Sequence, residues 1–403
     1  MQKTSSYTTL LLSLSAAFEY YDFIIYGLMA TYLGPLFFPN DSEMVSHLQA
    51  FAVFALGYLV RPLGGIILGM LGDLTSRKTI FFWSNLTLAL ATLGISLLPS
   101  YANIGITATI LIILFRILQS FSFAAEMPGA MSLIKDTSKT PEKSFSFVIS
   151  GASIGAILAS LILYLLENNF SKQEILDFAW RIPFAFGSIL CAISFIMRRK
   201  LINSVQLKPQ DKRDWLTSLF TEYKKAIACI LIISVSAYLI LMNLFFPSFL
   251  PKFYGFTSKE VYLSITISLI WSSLYALIFG HLTAKISKIS LLQSVIVASI
   301  FLSILIHYLL LKGNLIFALC LYQSIITSLM VITFPLMAET FTSSTRFTIM
   351  AICYNITFAI ISFIPIGVMN MATTMNGPII MWIIFILLCV FTLGNMSAIY
   401  RKE

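Results

Sequence analysis

The run Gly69-Met-Leu-Gly-Asp-Leu-Thr-Ser-Arg-Lys78 lies between two long apolar stretches. The run Gly280-His-Leu-Thr-Ala-Lys-Ile-Ser-Lys288 lies between two more, about 211 positions further on. Each opens on glycine, closes on basic residues, and follows the second apolar stretch of its half of the chain. A unit that returns once, at about half the chain length, is the mark of a protein built from two parallel repeats.

Working outward from these turns, apolar runs long enough to cross a bilayer fall at 9–34, 46–72, 79–98, 104–134, 145–168 and 179–202. Six more fall at 224–251, 260–284, 288–311, 314–338, 346–374 and 377–400. A spanning helix needs about 20 mostly apolar residues, because every backbone group in lipid must be satisfied internally. The reading is therefore twelve transmembrane helices and an all-α integral membrane protein. The one long polar break, 203–223, is a cytoplasmic linker between an N-terminal six-helix bundle, 1–202, and a C-terminal one, 224–403.

Composition agrees. Of 403 residues, 58% are hydrophobic and only 11% charged, with a mean hydropathy of +0.91. A soluble chain is nearer one-quarter charged. That excludes a cytosolic enzyme, a disordered scaffold and a nucleic-acid-binding module, although the net charge is +9. The positive charge is a topology signal instead. With the N-terminus inside, nineteen of the 26 Lys and Arg fall in cytoplasmic segments and five in outer ones, and Arg61 and Arg116 remain within spans. Both termini are expected in the cytoplasm. The five Cys lie in apolar runs without CxxC spacing and read as packing residues, so no metal site is expected. No GxxxxGK[ST], HExxH or GxSxG run occurs, so neither a nucleotide motor nor an enzyme is expected.

Several motifs together carry a family resemblance. Gly69, Leu71, Asp73, Arg77 and Lys78 match the G-x-L-x-D-R-x-G-R-K loop of the major facilitator superfamily, with Leu74 and Ser76 departing and Ala284 replacing the acidic residue of the second copy. Glu19-Tyr20-Tyr21-Asp22-Phe23 with Phe37-Phe38-Pro39 resembles the first span of its metabolite:proton symporters, the group of proline/betaine and dicarboxylate carriers. Arg61-Pro-Leu-Gly-Gly65, Arg116-Ile-Leu-Gln119, Glu126-Met-Pro-Gly129, Trp180-Arg-Ile-Pro-Phe184, Glu339-Thr-Phe and Arg346 with Tyr354-Asn355 are similar to further stretches of that group. Ala124 and Ala125 stand where the group usually has glycines. With Glu403 just past the last span, the long tail that some osmolyte carriers use in regulation is not expected here, nor is an osmosensing role. The resemblance implies the superfamily's fold, two bundles rocking about a midplane site, in the inner (plasma) membrane of a bacterium.

Within the spans, ionisable residues are costly and mark a substrate or ion path. Glu19, Asp22, Arg61, Arg116 and Glu126 are the strong cases, all in the first half. Glu19 and Asp22 share a helix face with Tyr26 one turn on, and Arg116 reaches a similar depth. This suits proton coupling by Asp22, Glu19 and Glu126, with Arg116 as a partner of the substrate or the carboxylates. Glu126 and Arg61 also offer a pair tying spans two and four together. Tyr20, Tyr26 and Gln119, with Asn243, Gln323, Tyr354 and Asn355 from the uncharged second half, complete the expected substrate contacts; Tyr238, Tyr275 and Asn370 are further polar candidates there. Asp73, Arg77, Lys78, Arg61, Glu339 and Arg346 are expected to hold or gate helix ends, and His281 and His307 to sit near helix ends. Gly151 and Gly155 form a small-xxx-small pair for close helix approach.

The expected function is secondary active, proton-coupled symport (uptake) of a small organic solute such as proline, betaine, another amino acid or a small carboxylate. The proton is the coupling ion and there is no cofactor. The chain is expected to act as a monomer in the lipid bilayer, with a small-molecule substrate and no nucleic acid. The alternatives are a proton-driven exporter of drugs or metabolites, and a non-transporting membrane sensor on the same fold.

Overall fold

The computed structural model describes residues 6–74, 77–124, 126–138, 140–204, 221–283, 286–341, 346–375 and 377–400. Most of the expected linker, 205–220, lies outside them, as do Ser76, Ala125 and Ala284 and the side chains of Asp73, Arg77 and Lys78.

Each of the twelve apolar runs becomes helix. The first span is Ser6–Leu28, continued by Ala30–Phe37 after a break at Met29. Spans two to six are Glu43–Leu74, Arg77–Leu97, Ile106–Phe123 continued by Glu126–Thr137, Pro141–Asn169, and Arg181–Ser204. Spans seven to ten are Tyr223–Tyr254, Ser258–Thr283, Lys288–Leu311 and Leu315–Thr340. Arg346–Ile361 with Ile364–Thr374 makes the eleventh, and Ile380–Tyr400 the twelfth. Among the described residues, eight of these helices are long and apolar enough to cross a membrane on those grounds alone, nine with the pair Lys172–Ala179 and Arg181–Met197, which bends by 46°. The first span does not pass that test: Ser13, Ser15, Glu19 and Asp22 dilute its hydropathy. It crosses as part of a bundle that shelters those groups, and Glu19 and Asp22 are both buried.

Two kinds of surface organise the molecule. Span seven is almost wholly interior, with 83% of its apolar segment buried, whereas span nine has 28% buried and presents Phe301, Ile304 and Leu311 outward. Such exposed apolar side chains are at home against acyl chains. Span seven closes with Gly255 in the left-handed region (φ 77°), a conformation that glycine adopts without penalty.

Helices in lipid gain little from burying apolar area against each other and rely on close contact. Gly151 and Gly155 of span five press on span one: a Cβ at Gly155 would stand 2.0 Å from the Ala17 carbonyl oxygen, and one at Gly151 2.3 Å from that of Ser13. Gly64 does the same for spans two and four, its Cβ position lying 2.6 Å from the Phe121 carbonyl and 3.1 Å from the Ala124 methyl. The alanine at 124 is thus accommodated by glycine on the facing helix. Gly155→Ala is expected to destabilise the protein by about 1–3 kcal/mol, the usual range for overpacking. Gly367→Ala, where a Cβ meets nothing within 4 Å, serves as its control. Equal melting temperatures for the two variants in detergent would refute the assignment.

Candidate functional site

Asp22 faces inward across spans three and four. Its Oδ1 accepts the Thr92 hydroxyl at 2.6 Å, and both carboxylate oxygens accept the Gln119 amide nitrogen, at 3.3 and 3.2 Å. The same amide donates to the Thr92 oxygen at 2.8 Å, and its own oxygen accepts from Arg116 Nη1 at 3.1 Å. Arg116 and Asp22 are therefore not in direct contact: Gln119 stands between them and carries the polarity of one to the other. Arg116 is further held by the Phe23 carbonyl, at 3.4 Å from Nη2, and lies over the rings of Tyr26 and Phe54 at 4.6 and 4.9 Å. All four members of the relay are buried. Gln119 fits because its neutral amide presents a donor and an acceptor on one flat end.

Glu19 looks elsewhere. Its Oε1 accepts the Ser194 hydroxyl of span six at 3.4 Å, so the carboxylates three positions apart address different neighbours.

Arg61 departs from the expected pairing. Its guanidinium lies over Phe23, Tyr58 and Phe123, at 4.4, 4.3 and 4.6 Å from the ring centroids, and its buried Nε has no hydrogen-bond acceptor. Among the described residues it forms no ion pair with Glu126. The rings flanking it from spans one, two and four enclose it instead.

Between the bundles lies a narrow, partly enclosed cavity. Tyr20 and Ile24 of span one, Ile149, Ala152, Ser153 and Ala156 of span five, and Ile240 and Asn243 of span seven line one part of it. Leu269 and Ser272 of span eight, with Gln323, Ile326, Thr327 and Met330 of span ten, line the rest. No charged side chain is among them. Asn243 is buried, and its Oδ1 has no hydrogen-bond partner.

Of the expected substrate contacts, Tyr20, Asn243 and Gln323 meet at this cavity. Arg116, Gln119 and Tyr26 do not line it, because the guanidinium is anchored within the N-terminal bundle. Tyr354 and Asn355 stand apart as well. The Asn355 amide is committed to the carbonyls of Ala124, at 2.8 Å, and Ala351, at 2.9 Å, and so bridges spans eleven and four. The ring of Tyr354 packs on Phe358 and Phe334. Of the further candidates, Tyr238 donates to the Met381 carbonyl at 2.7 Å, and Asn370 is exposed. Thr92, Ser153, Ser272 and Thr327 were not singled out from sequence. A lone hydroxyl in an apolar run gives no signal until its neighbours across the interface are known.

At one end of the bundles, Glu339 accepts from Lys135 at 3.1 Å and Lys288 at 2.8 Å, and Lys288 also reaches Glu142 at 3.1 Å. This chain of ion pairs joins both halves of the protein. Arg346, expected beside Glu339, donates from Nε to the Phe341 carbonyl at 3.3 Å. Toward the other end, the Tyr262 hydroxyl donates to the Leu28 carbonyl, and Phe51 stacks on Phe245 across the halves. Among the described residues, no group of three or more His, Cys, Asp or Glu stands together as a metal-binding set.

Comparison with known proteins places this geometry. The chain is 31% identical, over 301 residues, to a putative proline/betaine transporter of Staphylococcus aureus (strain COL); the match covers 71% of this chain and 64% of that protein. It is 36% identical over 185 residues to the citrate-proton symporter of Klebsiella pneumoniae, covering 45% and 42% respectively. A crystal structure of a D-xylose-proton symporter superposes with a TM-score of 0.72 at 14% identity, over 96% of this chain and 97% of that one, which establishes the fold. A family model, Major Facilitator Superfamily, matches residues 9–346. With twelve helices in two bundles around a midline cavity, this multi-pass membrane protein belongs to the major facilitator superfamily.

Proposed function

We propose that the chain takes up a small, net-neutral organic solute together with protons, by alternating access of its two bundles. It would do so as a monomer in a bacterial inner membrane, with both termini cytoplasmic and the halves dividing at 203–223. The observation that carries this reading is the arrangement on span one. Tyr20 lines the cavity, while Asp22, two positions on, faces the Thr92–Gln119–Arg116 relay. A solute that pulls on Tyr20 thus moves the helix bearing the carboxylate.

The cavity supports a net-neutral cargo. A citrate-like polyanion brings several charges that must be paired when taken out of water, and this lining has none to offer. A zwitterion such as proline or betaine balances itself and needs only dipoles at each end, which Asn243, Gln323 and the hydroxyls of Ser272 and Thr327 provide.

Reconstituted into liposomes, the protein is expected to accumulate radiolabelled proline or betaine when the outside is more acidic than the lumen. Collapsing the gradient with a protonophore should abolish that accumulation. Accumulation indifferent to the gradient refutes proton coupling, and preference for citrate over zwitterions refutes the cargo class.

A further inference from the structure

Thr92 of span three is buried, and its hydroxyl has more acceptors within reach than one proton can serve. Oγ1 stands 2.6 Å from Asp22 Oδ1 and 3.0 Å from the Leu88 carbonyl, one turn back on its own helix. It also accepts the Gln119 amide nitrogen at 2.8 Å. A hydroxyl donates once and accepts twice, so its proton points either to Asp22 or to Leu88. Gln119 has no such choice. Arg116 can only donate and holds the amide oxygen at 3.1 Å, which leaves the amide nitrogen facing Asp22. An ionised Asp22 therefore meets donors from both partners. A protonated Asp22 must donate its own O–H, and of its two partners among the described residues only Thr92 Oγ1 can accept it.

We propose that Thr92 is a positioning residue for the coupling proton, turning its hydroxyl from Asp22 to the Leu88 carbonyl when Asp22 is protonated; this rests on the reading of Asp22 as proton carrier. With Asp22 ionised, Thr92 donates to Oδ1 and accepts from Gln119. With Asp22 protonated on Oδ1, Thr92 donates to Leu88 and accepts from both Gln119 and Asp22, which fills all three of its positions. The added proton comes from water on one side of the membrane and leaves to water on the other, and Thr92 keeps its own throughout. Only a hydrogen turns, so neither form leaves the carboxyl oxygen unpaired inside lipid, where an unpaired polar group is costly. The charged and titratable groups packed around Asp22 are Arg116 of span four and Arg61 of span two, which line the same small space, with Glu19 and Tyr21 of span one and Cys191 of span six against Tyr21. Span five brings Gly155 to this stretch. None of those groups is changed when the Thr92 hydroxyl is removed, so its part can be isolated.

The test is an infrared difference titration of the purified full chain in detergent, following the carboxylic C=O band lost in Asp22→Asn. Thr92→Val keeps the shape and removes the hydroxyl. A hydrogen bond to an ion is roughly twice as strong as one to a neutral group. The ionised form therefore loses more, and the midpoint should rise by about one pH unit, a tenfold change in the proton equilibrium. The acid also loses its acceptor, so its C=O band should move to higher frequency, as in a carboxylic acid with fewer hydrogen bonds. Thr92→Ser, which keeps the hydroxyl, should restore the midpoint and the band. An unchanged midpoint in Thr92→Val overturns the proposal. A raised midpoint with an unmoved band does so too, since Thr92 would then donate without turning. Equal shifts in the serine and valine variants would assign the effect to packing and refute it. A C=O band that survives Asp22→Asn overturns the reading of Asp22 itself, and the proposal falls with it. Should Thr92→Val fail to fold, Thr92→Ala carries the same expectations.

Discussion

Asp22→Asn is expected to abolish concentrative uptake while leaving solute exchange in place. With one proton carried per solute, each unit of pH difference supports up to about tenfold accumulation, because a tenfold ratio corresponds to about 1.4 kcal/mol. A side chain that cannot ionise returns that ratio to one. The substitution should be structurally mild. Oδ1 keeps the Thr92 hydroxyl at 2.6 Å, and what is lost is the bond from Gln119 to Oδ2 at 3.2 Å, a loss of roughly 1 kcal/mol. Proteoliposomes preloaded with cold solute and diluted into labelled solute should therefore still show counterflow. A variant that concentrates solute normally against its gradient would show that the coupling carboxylate is another, and Glu19, against Ser194, would be the next to test.

The arrangement that makes this prediction possible was partly readable from the residues. Ionised groups are so disfavoured in lipid that Asp22, Arg61 and Arg116 stand out in any apolar run, and their burial follows from the same penalty. Small-residue spacing marked span five as a site of close helix approach, and the structure supplies the partner, span one, at Gly155 and Ala17. What each charge faces was less accessible. Arg61 and Glu126 lie at depths that permit a pair, yet three rings converge on the guanidinium, and rings in an apolar run look like packing. Arg116 seemed open to a substrate because nothing in the spacing distinguishes a helix face turned toward the other bundle from one turned into its own. That choice depends on rotations and kinks set by packing against neighbours, such as the break at Met29 and the bend before Arg181. Tyr20 and Asp22 show how fine the distinction is: two positions on one helix reach two different spaces.

Asn243→Leu separates cargo recognition from coupling. The substitution keeps the branched heavy-atom skeleton, with bulkier methyl ends, and removes an acceptor that is buried without a partner, so the empty protein should lose no hydrogen bond at this oxygen. The solute loses the group that meets its positive end. A proline-like ammonium has N–H groups to donate to Asn243 Oδ1, and a hydrogen bond to a charged group contributes about 1.5–3 kcal/mol. The apparent affinity for proline should therefore fall roughly 10- to 100-fold. Driven uptake and counterflow should fall together, unlike in Asp22→Asn, where only the first is lost. A quaternary ammonium such as betaine has no N–H to give and should be weakened much less. Thermal-shift titrations of wild type and variant with both solutes read this directly, because binding stabilises the fold in proportion to occupancy. Equal affinities for proline in the two proteins would mean that Asn243 does not meet the cargo. Equal weakening for both solutes would mean that Asn243 shapes the cavity instead of bonding to its occupant.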